Sequence, residues 1–564
     1  MNFSSWRKNL RFPAIDYRIA LIVTVLYFTA TFNWVLLRHF YSILSQMDEY
    51  DPIFAATAPF VVILALTLVF VPFSFKYLLK PALVFFIVTG AVANYAMQHY
   101  GIVFDRAMFT NFAETYPAEA LSYVSGSSVM WIFLTGILPA ILLIAVPLKY
   151  PKTIFAGLAQ RLVILTVVLA VTGLLGAGYF KNYASVGRNN KILGKEAMPF
   201  NYVVAGIQYG KMQYKAHFIP FQKIGEDAKR QPSFGKPNLV FLVIGETARA
   251  ENVALDGYKR DTSPFTRDIP GLVSFQNVSS CGTATAISVP CMFSDMTHAN
   301  FDGSHAAKRE NLLDIVARTG VSVFWKENDG GCKGVCDRVP NIELSPDMYP
   351  DLCNGHSCLD AAMLEDIDPE MAAMKAGDKL MVFHIIGSHG PTYYQRYPDG
   401  FRAFTPDCPR SDIENCSSEE LVNSYDNSIR YTDYIISQMI AKLQSLSSDY
   451  NTSLLYISDH GESLGENGLY LHGAPYVFAP SQQTHVPMFM WMAKQTAESK
   501  NIDTSCVSDT AQNDAYSQDN LFSTVLGLFD VSTSLYQADH DILAKCETPG
   551  THTASNNPAQ PIVQ

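Results

Sequence analysis

Three apolar runs in the second half of the sequence are followed at once by side chains that bind metals. These side chains are Glu246, His389, Asp459 and His460. In an open parallel α/β sheet, ligands collect beyond the carboxyl ends of the strands, so the side chains would meet at one edge. Carboxylate oxygens and imidazole nitrogens are ligands that Zn²⁺ takes in enzymes. The spacing therefore predicts a metal site, although any one of these residues alone would fit an ordinary loop.

A hydroxyl nucleophile is available between Cys281 and Cys291, just before a run that can form a helix. At a helix N-terminus the free N–H groups and the helix dipole favour an incoming phosphate. A metal-bound hydroxyl is also easier to ionise, as zinc-bound water is with a pKa of about 7. Thr283, Thr285 and Ser288 fit this function, but each also fits a helix N-cap. Spacing alone leaves the choice among them open.

The composition indicates a membrane protein, because 48% of the 564 residues are apolar and only 16% are charged, against about 25% charged in soluble domains. Residues 1–180 contain 11 Lys and Arg against 7 Asp and Glu, whereas the remainder has 30 against 45. An acidic second half argues against a nucleic-acid partner. Five runs approach the roughly 20 residues that cross a bilayer. They are residues 19–37, 53–73, 81–98, 127–148 and 162–180.

Basic residues cluster before the first span and in alternate loops, so the positive-inside rule predicts a cytoplasmic N-terminus. After five crossings, everything beyond residue 180 would lie on the outer side of the membrane. The cysteines agree, since all 10 follow residue 280 and disulfides form in oxidising compartments. A zinc site with thiolate ligands is the alternative, but the cysteine spacings lack the paired C-x-x-C framework of such sites. Pairing by proximity would join Cys281 with Cys291, Cys332 with Cys336, Cys353 with Cys358, Cys408 with Cys416 and Cys506 with Cys546.

Beyond the membrane segment, short apolar runs alternate with helical stretches, which predicts an α/β domain with a largely parallel, covered sheet. The runs are 238–244, 321–325, 380–386 and 453–457, and the helical stretches lie near 309–318, 359–374 and 419–446. We therefore expect a transmembrane domain at 1–180, a membrane-surface connector at 181–235, a catalytic domain at 236–548 and a disordered tail at 549–564.

Four motifs in this order resemble the lipid A phosphoethanolamine transferases, a family that includes the mobile colistin-resistance enzymes. They are GETARA at 245–250, the segment 281–294, IGSHGP at 386–391 and SDHGESLGENG at 458–468 with His472. The resemblance covers nearly the whole chain. It implies a five-helix membrane domain followed by a periplasmic domain of the alkaline phosphatase and sulfatase type.

The resemblance also implies an activity. One Zn²⁺ would be held by Glu246, Thr285, Asp459 and His460, with more zinc during turnover left open. Thr285 would take phosphoethanolamine from phosphatidylethanolamine, release diacylglycerol, and pass the group to a lipid A phosphate. The enzyme would be a monomer in the bacterial inner membrane, in contact with its lipids, and would confer polymyxin resistance.

Further residues match family positions near the substrate. His389 and His472 would lie near the substrate phosphate or a second zinc, and Lys333 would contact the donor. Asn111, Thr115 and Glu119 recur every four residues, would share one face of a short helix, and match residues near the ethanolamine. A solvated helical face fits the same spacing. His384 is expected to be a core histidine, and Arg249 matches no role.

Zinc and threonine chemistry alone does not name the acceptor. Sister enzymes that act on core sugars, phosphoglycerol transferases and sulfatases would use the same residues. A membrane receptor or scaffold that kept the fold without catalysis is a second class, and it predicts no metal and no turnover.

Overall fold

The computed structural model describes residues 12–47, 50–115, 117–230, 235–354 and 357–548. The tail predicted at 549–564 lies outside the described residues. The chain divides into two compact units. The first contains residues up to 109 together with 123–211 and 465–470, and the second contains 110–122, 212–464 and the residues from 471 onward.

The first unit is helical. Its helices are Tyr17–Tyr27, Phe28–Phe32, Trp34–Ser45, Pro52–Phe70, Val71–Phe73, Leu79–Tyr100, Gly126–Ile132, Phe133–Ile137, Leu138–Ala145, Ile154–Asn189 and Ile192–Glu196. Arg106–Glu114 and Phe200–Ala216 belong in part to each unit. Two buried clusters hold the helices together, and many large apolar side chains point outward, as lipid-facing helices require.

Within the described residues, four helices are long and apolar enough to cross a bilayer: Pro52–Phe73, Leu79–Tyr100, Gly126–Ala145 and Ile154–Asn189. The first predicted span differs from the expected single helix, because Tyr17–Phe32 and Trp34–Ser45 meet at a bend of 58°. Asn33 lies at the break and hydrogen-bonds to the carbonyl oxygens of Phe28 and Met198. A polar side chain that binds freed backbone groups stabilises such a bend, and hydropathy does not reveal it.

The second unit contains a seven-stranded sheet. Its strands are β1 (Asn238–Gly245), β2 (Leu272–Phe275), β3 (Ser322–Glu327), β4 (Asn341–Glu343), β5 (Lys379–His384), β6 (Asn451–Ser458) and β7 (Met488–Met492). The order across the sheet is β2-β7-β6-β1-β5-β3-β4. The five strands from β6 to β4 are parallel, whereas β7 is antiparallel to both β6 and β2. The predicted α/β class is confirmed.

Helices cover the sheet and supply its second layer. They are Thr285–Met292, Gly303–Ala306, Leu312–Arg318, Ile367–Ala373, Ser418–Ser445, Ser481–Thr484, Lys494–Ser499, Thr504–Asn513 and Asn520–Leu528. All residues of β1 and β5 are buried, which is why both read as continuous apolar runs. Ser418–Ser445 begins with a capping box in which Ser417 and Glu420 exchange hydrogen bonds.

All 10 cysteines are in disulfides within the second unit. The bonds join Cys281 to Cys291, Cys332 to Cys336, Cys353 to Cys358, Cys408 to Cys416 and Cys506 to Cys546. This is the pairing by proximity that the sequence predicts.

Candidate active site

Two parallel neighbouring strands bring the central carboxylates together. Glu246 directly follows β1, and Asp459 and His460 directly follow β6. Because Gly245 of β1 pairs with Ser458 of β6, the residues after both strands emerge side by side at one edge of the sheet. Asp459 then accepts a backbone hydrogen bond from Thr247, which fixes its carboxylate beside Glu246.

Thr285 is the first residue of the helix Thr285–Met292, whose N-cap residue Ala284 provides no side-chain hydrogen bond. The three hydroxyls that spacing alone could not separate therefore differ in their surroundings. Thr283 donates to the carbonyl oxygen of Ala474, and Ser288 lies in the second turn of the helix. Among these three, Thr285 is the one whose described hydrogen bonds reach the carboxylate and histidine cluster.

The four predicted zinc ligands are within reach of a single ion. Thr285 Oγ1 lies 3.2 Å from Glu246 Oε2 and 3.3 Å from His460 Nε2. His460 Nε2 lies 3.2 Å from Asp459 Oδ2 and 3.6 Å from Glu246 Oε1. Glu246, Asp459 and His460 have no exposed surface, and Thr285 is 5% exposed.

The protonation of His460 fits a bound cation. Its Nδ1 lies 2.9 Å from the Gly461 carbonyl oxygen, which can only accept, so Nδ1 carries the proton. Burial lowers the pKa of His460 to about 4, so the ring is neutral at pH 7 and Nε2 presents a lone pair. That lone pair faces carboxylate oxygens. The lone pair and the carboxylate oxygens repel one another, and a cation between them would be coordinated by both.

The two carboxylates differ in electrostatics. Burial raises the pKa of Glu246 well above its ordinary value, and the neighbouring charges of Asp329 and Asp459 add to the increase. Burial also opposes ionisation of Asp459, but the charges of His460 and His384 and the hydrogen bonds with Glu246 and the Thr247 N–H together outweigh burial, so the pKa of Asp459 is lowered. Glu246 Oε1 and Asp459 Oδ2 are buried without a hydrogen-bond partner among the described residues. Unpaired buried oxygens of this kind are typical of metal ligands.

Two histidines border this cluster. His472 lies next to His460, with ring centroids 4.4 Å apart, and 5.8 Å from the ring of His389. Glu462 accepts a hydrogen bond from His472 Nδ1 at 2.9 Å and another from the Tyr393 hydroxyl. The structure thus brings both predicted histidines to the site. Glu462 lies inside a motif that sequence reasoning quoted without assigning it a function.

His389 is reached through a tight turn after β5. Gly387 in this turn has φ of +47°, and a Cβ there would lie 2.7 Å from the Glu246 carbonyl oxygen. Only glycine fits that backbone and that contact. Ser388 N also donates to the same carbonyl oxygen at 3.0 Å. The turn therefore fixes the backbone of Glu246, one of the predicted zinc ligands.

Lys333 lies in the loop closed by Cys332 and Cys336, with its backbone in the left-handed region at φ of +50°. Burial raises the pKa of Asp329 to about 6 and the pKa of Glu114 above its ordinary value, and the ammonium group of Lys333 opposes both increases. A cation at this position fits contact with a phosphate.

The single helix expected to carry Asn111, Thr115 and Glu119 is absent from the described part of the chain. Arg106–Glu114 ends before Thr115, and Glu119 lies in a second helix, Pro117–Ser122. The prediction of one shared face is therefore wrong, because Pro117 disfavours helix in the residue before it. Thr115 Oγ1 donates to the Asn111 carbonyl oxygen. The side chain of Glu119 lies outside the described residues.

Two residues that sequence reasoning set aside have defined contacts. His384 is buried as expected, yet it is not packed among apolar side chains alone, since its Nδ1 lies 2.9 Å from Glu327 Oε2. Arg249 is also buried, and it donates to Asn252 and to the Glu462 carbonyl oxygen. Asn252 is three residues from Arg249, but Glu327 and Glu462 are far in sequence from the residues they contact. Periodicity could not reveal these two long-range contacts.

Known proteins match both units of the chain. The family model described as Phosphoethanolamine transferase EptA/EptB matches residues 62–214, and the Sulfatase family model matches residues 238–531. Phosphoethanolamine transferase EptA of Escherichia coli K12 is 40% identical over 550 residues, covering 96% of this chain and 99% of that protein. Phosphatidylethanolamine transferase Mcr-1 of Escherichia coli is 38% identical over 469 residues, covering 81% and 85%. The solved structure of lipooligosaccharide phosphoethanolamine transferase A from Neisseria meningitidis superposes with a TM-score of 0.92 at 37% identity, covering 95% of this chain and 100% of that one.

Proposed function

The chain belongs to the phosphoethanolamine transferase family, and on that premise we propose that it carries phosphoethanolamine from phosphatidylethanolamine to a phosphate of lipid A. Thr285 holds the group between the two steps. The observation that carries this proposal is the contact of Thr285 Oγ1 with both Glu246 and His460 at the start of a helix. Adding an ammonium group to a lipid A phosphate offsets negative charge, which weakens attraction to cationic polymyxins.

Glu246, Thr285, Asp459 and His460 fit one Zn²⁺, because their buried oxygens and the Nε2 lone pair converge without enough hydrogen-bond donors. When bound, the ion supplies positive charge that orients the phosphate and makes the threonine hydroxyl easier to ionise. The requirement to hold this ion beside the nucleophile explains why a neutral histidine and two carboxylates surround one hydroxyl.

In the first step Thr285 Oγ1 attacks the donor phosphorus, the bond from phosphorus to the glycerol oxygen breaks, and diacylglycerol leaves with a proton. The N-terminal position of Thr285 directs free helix N–H groups toward the phosphate oxygens. Lys333 adds a further positive charge near the site. His472, whose Nδ1 is bound by Glu462, and His389 lie side by side, and one of these imidazoles supplies the proton that the leaving glycerol oxygen takes up.

In the second step an oxygen of the lipid A phosphate attacks the same phosphorus. The bond to Thr285 Oγ1 breaks, and the threonine hydroxyl regains a proton. A donor that departs before the acceptor is modified gives ping-pong kinetics. Both substrates are lipids, so we assign the catalytic unit to the periplasmic face of the inner membrane, with the N-terminus in the cytoplasm.

Intact-protein mass spectrometry tests the covalent step. Purified full-length enzyme is incubated with phosphatidylethanolamine alone, and we expect an added mass of one phosphoethanolamine group. Thr285→Ala should carry no adduct. Thr283→Ala is the matched control, because Thr283 is two residues away and its hydroxyl binds a carbonyl oxygen instead.

The two outcomes separate different parts of the proposal. An adduct that persists in Thr285→Ala would show that another residue is the nucleophile. Wild-type enzyme without any adduct would favour another donor, and phosphatidylglycerol and sulfate esters would be the next substrates. Mass spectrometry of lipids extracted from expressing cells then distinguishes lipid A from core sugars as the acceptor.

A further inference from the structure

A second cluster of ligand atoms lies on the other side of Glu246. Asp329 follows β3 by two residues, and His384 is the last residue of β5. One ligand atom from each of Glu246, Asp329 and His384 lies within 4.8 Å of the others. All three residues are at most 3% exposed. This group shares Glu246 with the Thr285 site but none of its other residues.

The ring of His384 is oriented as in metal-binding histidines. Glu327 and His384 pair directly across β3 and β5, and His384 Nδ1 lies 2.9 Å from Glu327 Oε2. The same carboxylate accepts hydrogen bonds from Trp325 Nε1 at 2.8 Å and from the backbone of Asp329 at 2.6 Å. Histidines that ligate a metal commonly donate their other ring N–H to a fixed carboxylate.

The remaining atoms of the cluster lack hydrogen bonds. His384 Nε2, Asp329 Oδ1 and Glu246 Oε1 are buried with no hydrogen-bond partner among the described residues. His384 Nε2 lies 3.8 Å from Asp329 Oδ2, which is too long for a hydrogen bond. It is close to the separation expected when both atoms coordinate one ion at about 2.0 to 2.2 Å.

The negative charge of the buried carboxylates also favours a bound cation. Glu246, Asp329, Asp459 and Glu327 place four carboxylates in one buried region, and one divalent ion in the Thr285 site would offset half of their ionised charge. Lys333 and His389 act electrostatically on Asp329 from one side. Buried carboxylates that remain uncompensated are costly.

We propose that Glu246, Asp329 and His384 bind a second divalent cation of the kind that accepts imidazole and carboxylate together, such as Zn²⁺, with the Glu246 carboxylate shared between the two ions. The site is distinct from the group formed by His460, Glu462 and His472. Its ion would fix Glu246 from the side of β5 and β3, across β1 from β6, and would offset the charge of Asp329.

Metal content measures this site directly. Full-length protein in detergent is stripped with a chelator, dialysed against buffered Zn²⁺, and analysed by elemental and native mass spectrometry. Asp329→Asn and His384→Gln should each bind one zinc fewer than the wild type. Asp368→Asn, whose side chain is 71% exposed, is the control and should match the wild type.

The Thr285 site is distinguished by its own variant. Asp459→Asn should also lose one zinc, and Asp329→Asn combined with Asp459→Asn should lose two. An unchanged zinc content in Asp459→Asn alone would count against the Thr285 site and leave the second site standing. Zinc content equal to the wild type in both Asp329→Asn and His384→Gln would overturn the second site.

A proton is the competing occupant of this cluster. Burial disfavours the charged ring of His384, but the charge and hydrogen bond of Glu327, together with the charges of Asp329 and Asp459, raise its pKa to about 9. If Asp329→Asn and His384→Gln fail to fold, the variant with both Asp459→Asn and His472→Gln leaves Asp329 and His384 intact. Retention of one zinc would support the proposal. Loss of all zinc from that folded variant would assign the cluster to a proton and overturn it.

Discussion

Glu462 shows how one carboxylate can orient a histidine of the candidate active site. It accepts a hydrogen bond from His472 Nδ1 at 2.9 Å and one from the Tyr393 hydroxyl, and it has no exposed surface. Since Nδ1 carries the proton, His472 Nε2 is left to face the site. The tautomer of the ring therefore depends on a residue that need not touch substrate.

We expect Glu462→Gln to lower kcat/KM about 10- to 100-fold, the usual cost of losing a carboxylate behind a working histidine. Glutamine keeps the size of the side chain, but its single oxygen cannot accept both hydrogen bonds. Initial rates with phosphatidylethanolamine and lipid A measure the effect. Glu498→Gln is the control, because Glu498 is largely exposed. Rates within twofold of the wild type would contradict an orienting function for Glu462.

Asp541 is a buried acid away from the site, and it makes stability depend on pH. Burial raises the pKa of Asp541 to about 6, although the Leu543 N–H and the Tyr536 hydroxyl donate to it. The unfolded chain ionises near 3.8, so folding favours the protonated acid. Its contribution to stability is therefore present at low pH and is lost as the pH rises from about 4 to about 6.

Asp541→Asn imitates the neutral acid and should stabilise the protein more at neutral pH than at low pH. The gain in unfolding free energy should grow by about 2 kcal/mol between pH 4.5 and pH 7, since each pKa unit is worth about 1.4 kcal/mol. Thermal unfolding followed by tryptophan fluorescence compares variant and wild type at each pH. A gain that does not change with pH would show that Asp541 titrates normally.

Sequence reasoning identified Glu246, Asp459 and His460 because they follow apolar strands, whereas the choice of Thr285 among three hydroxyls came from the family resemblance. Sequence reasoning missed Asp329, although this residue also comes shortly after an apolar run, residues 321–325. His384 was interpreted as a core residue because its run is apolar on both sides. The partner that changes this interpretation, Glu327, is contributed by the neighbouring strand, and register between strands is not visible in one run.

At the scale of elements, strand length decided what could be predicted. β1, β3, β5 and β6 have six to eight residues, and their largely apolar runs were recognised with nearly correct ends. β2, β4 and β7 have three to five residues and were missed. Runs this short cannot be distinguished from helix or loop by periodicity, and two of these strands form the antiparallel side of the sheet.

One disulfide, Cys281–Cys291, joins the loop before the helix that carries Thr285 to the last turn of that helix. Replacing both cysteines by serine should cost about 3 kcal/mol by the loop-entropy relation and should also reduce transfer, because the loop and helix around Thr285 lose their constraint. The mass-adduct assay and a thermal melt measure the two effects.

A second disulfide provides the control. Cys506 and Cys546 are 40 residues apart, so their removal should cost about 4 kcal/mol by the same relation. Neither cysteine belongs to the Thr285 helix or to the loop before it, so the folded double variant should keep its transfer rate. Equal loss of activity in both double variants would mean that stability alone, rather than the position of Thr285, is responsible.

At the scale of the whole molecule, the chain combines a helical membrane unit with a disulfide-bonded catalytic unit. Each of the five disulfides lies in the second unit. Hydropathy predicted the long helices well, because lipid imposes length and apolarity on them. The bend at Asn33 was not predictable, since it depends on a partner at Met198 far along the chain.

A host without periplasmic thiol oxidation should yield little active protein, because five loops would lose their covalent constraint at once. Thiol labelling and non-reducing electrophoresis measure disulfide content, and the lipid assay measures activity. The same gene in an oxidising host is the control. Normal yield and activity without disulfides would contradict the proposed export of the second unit.

The burial of Thr285 at the start of a helix held by a disulfide has a kinetic consequence. If Thr285 is the nucleophile as proposed, its fixed position requires donor and acceptor to enter the same place in turn. The two lipids then compete for one position, and abundant donor slows the reaction by occupying the modified enzyme. The rate of lipid A modification would then depend on the ratio of donor to acceptor lipid in the surrounding membrane as well as on the amount of enzyme.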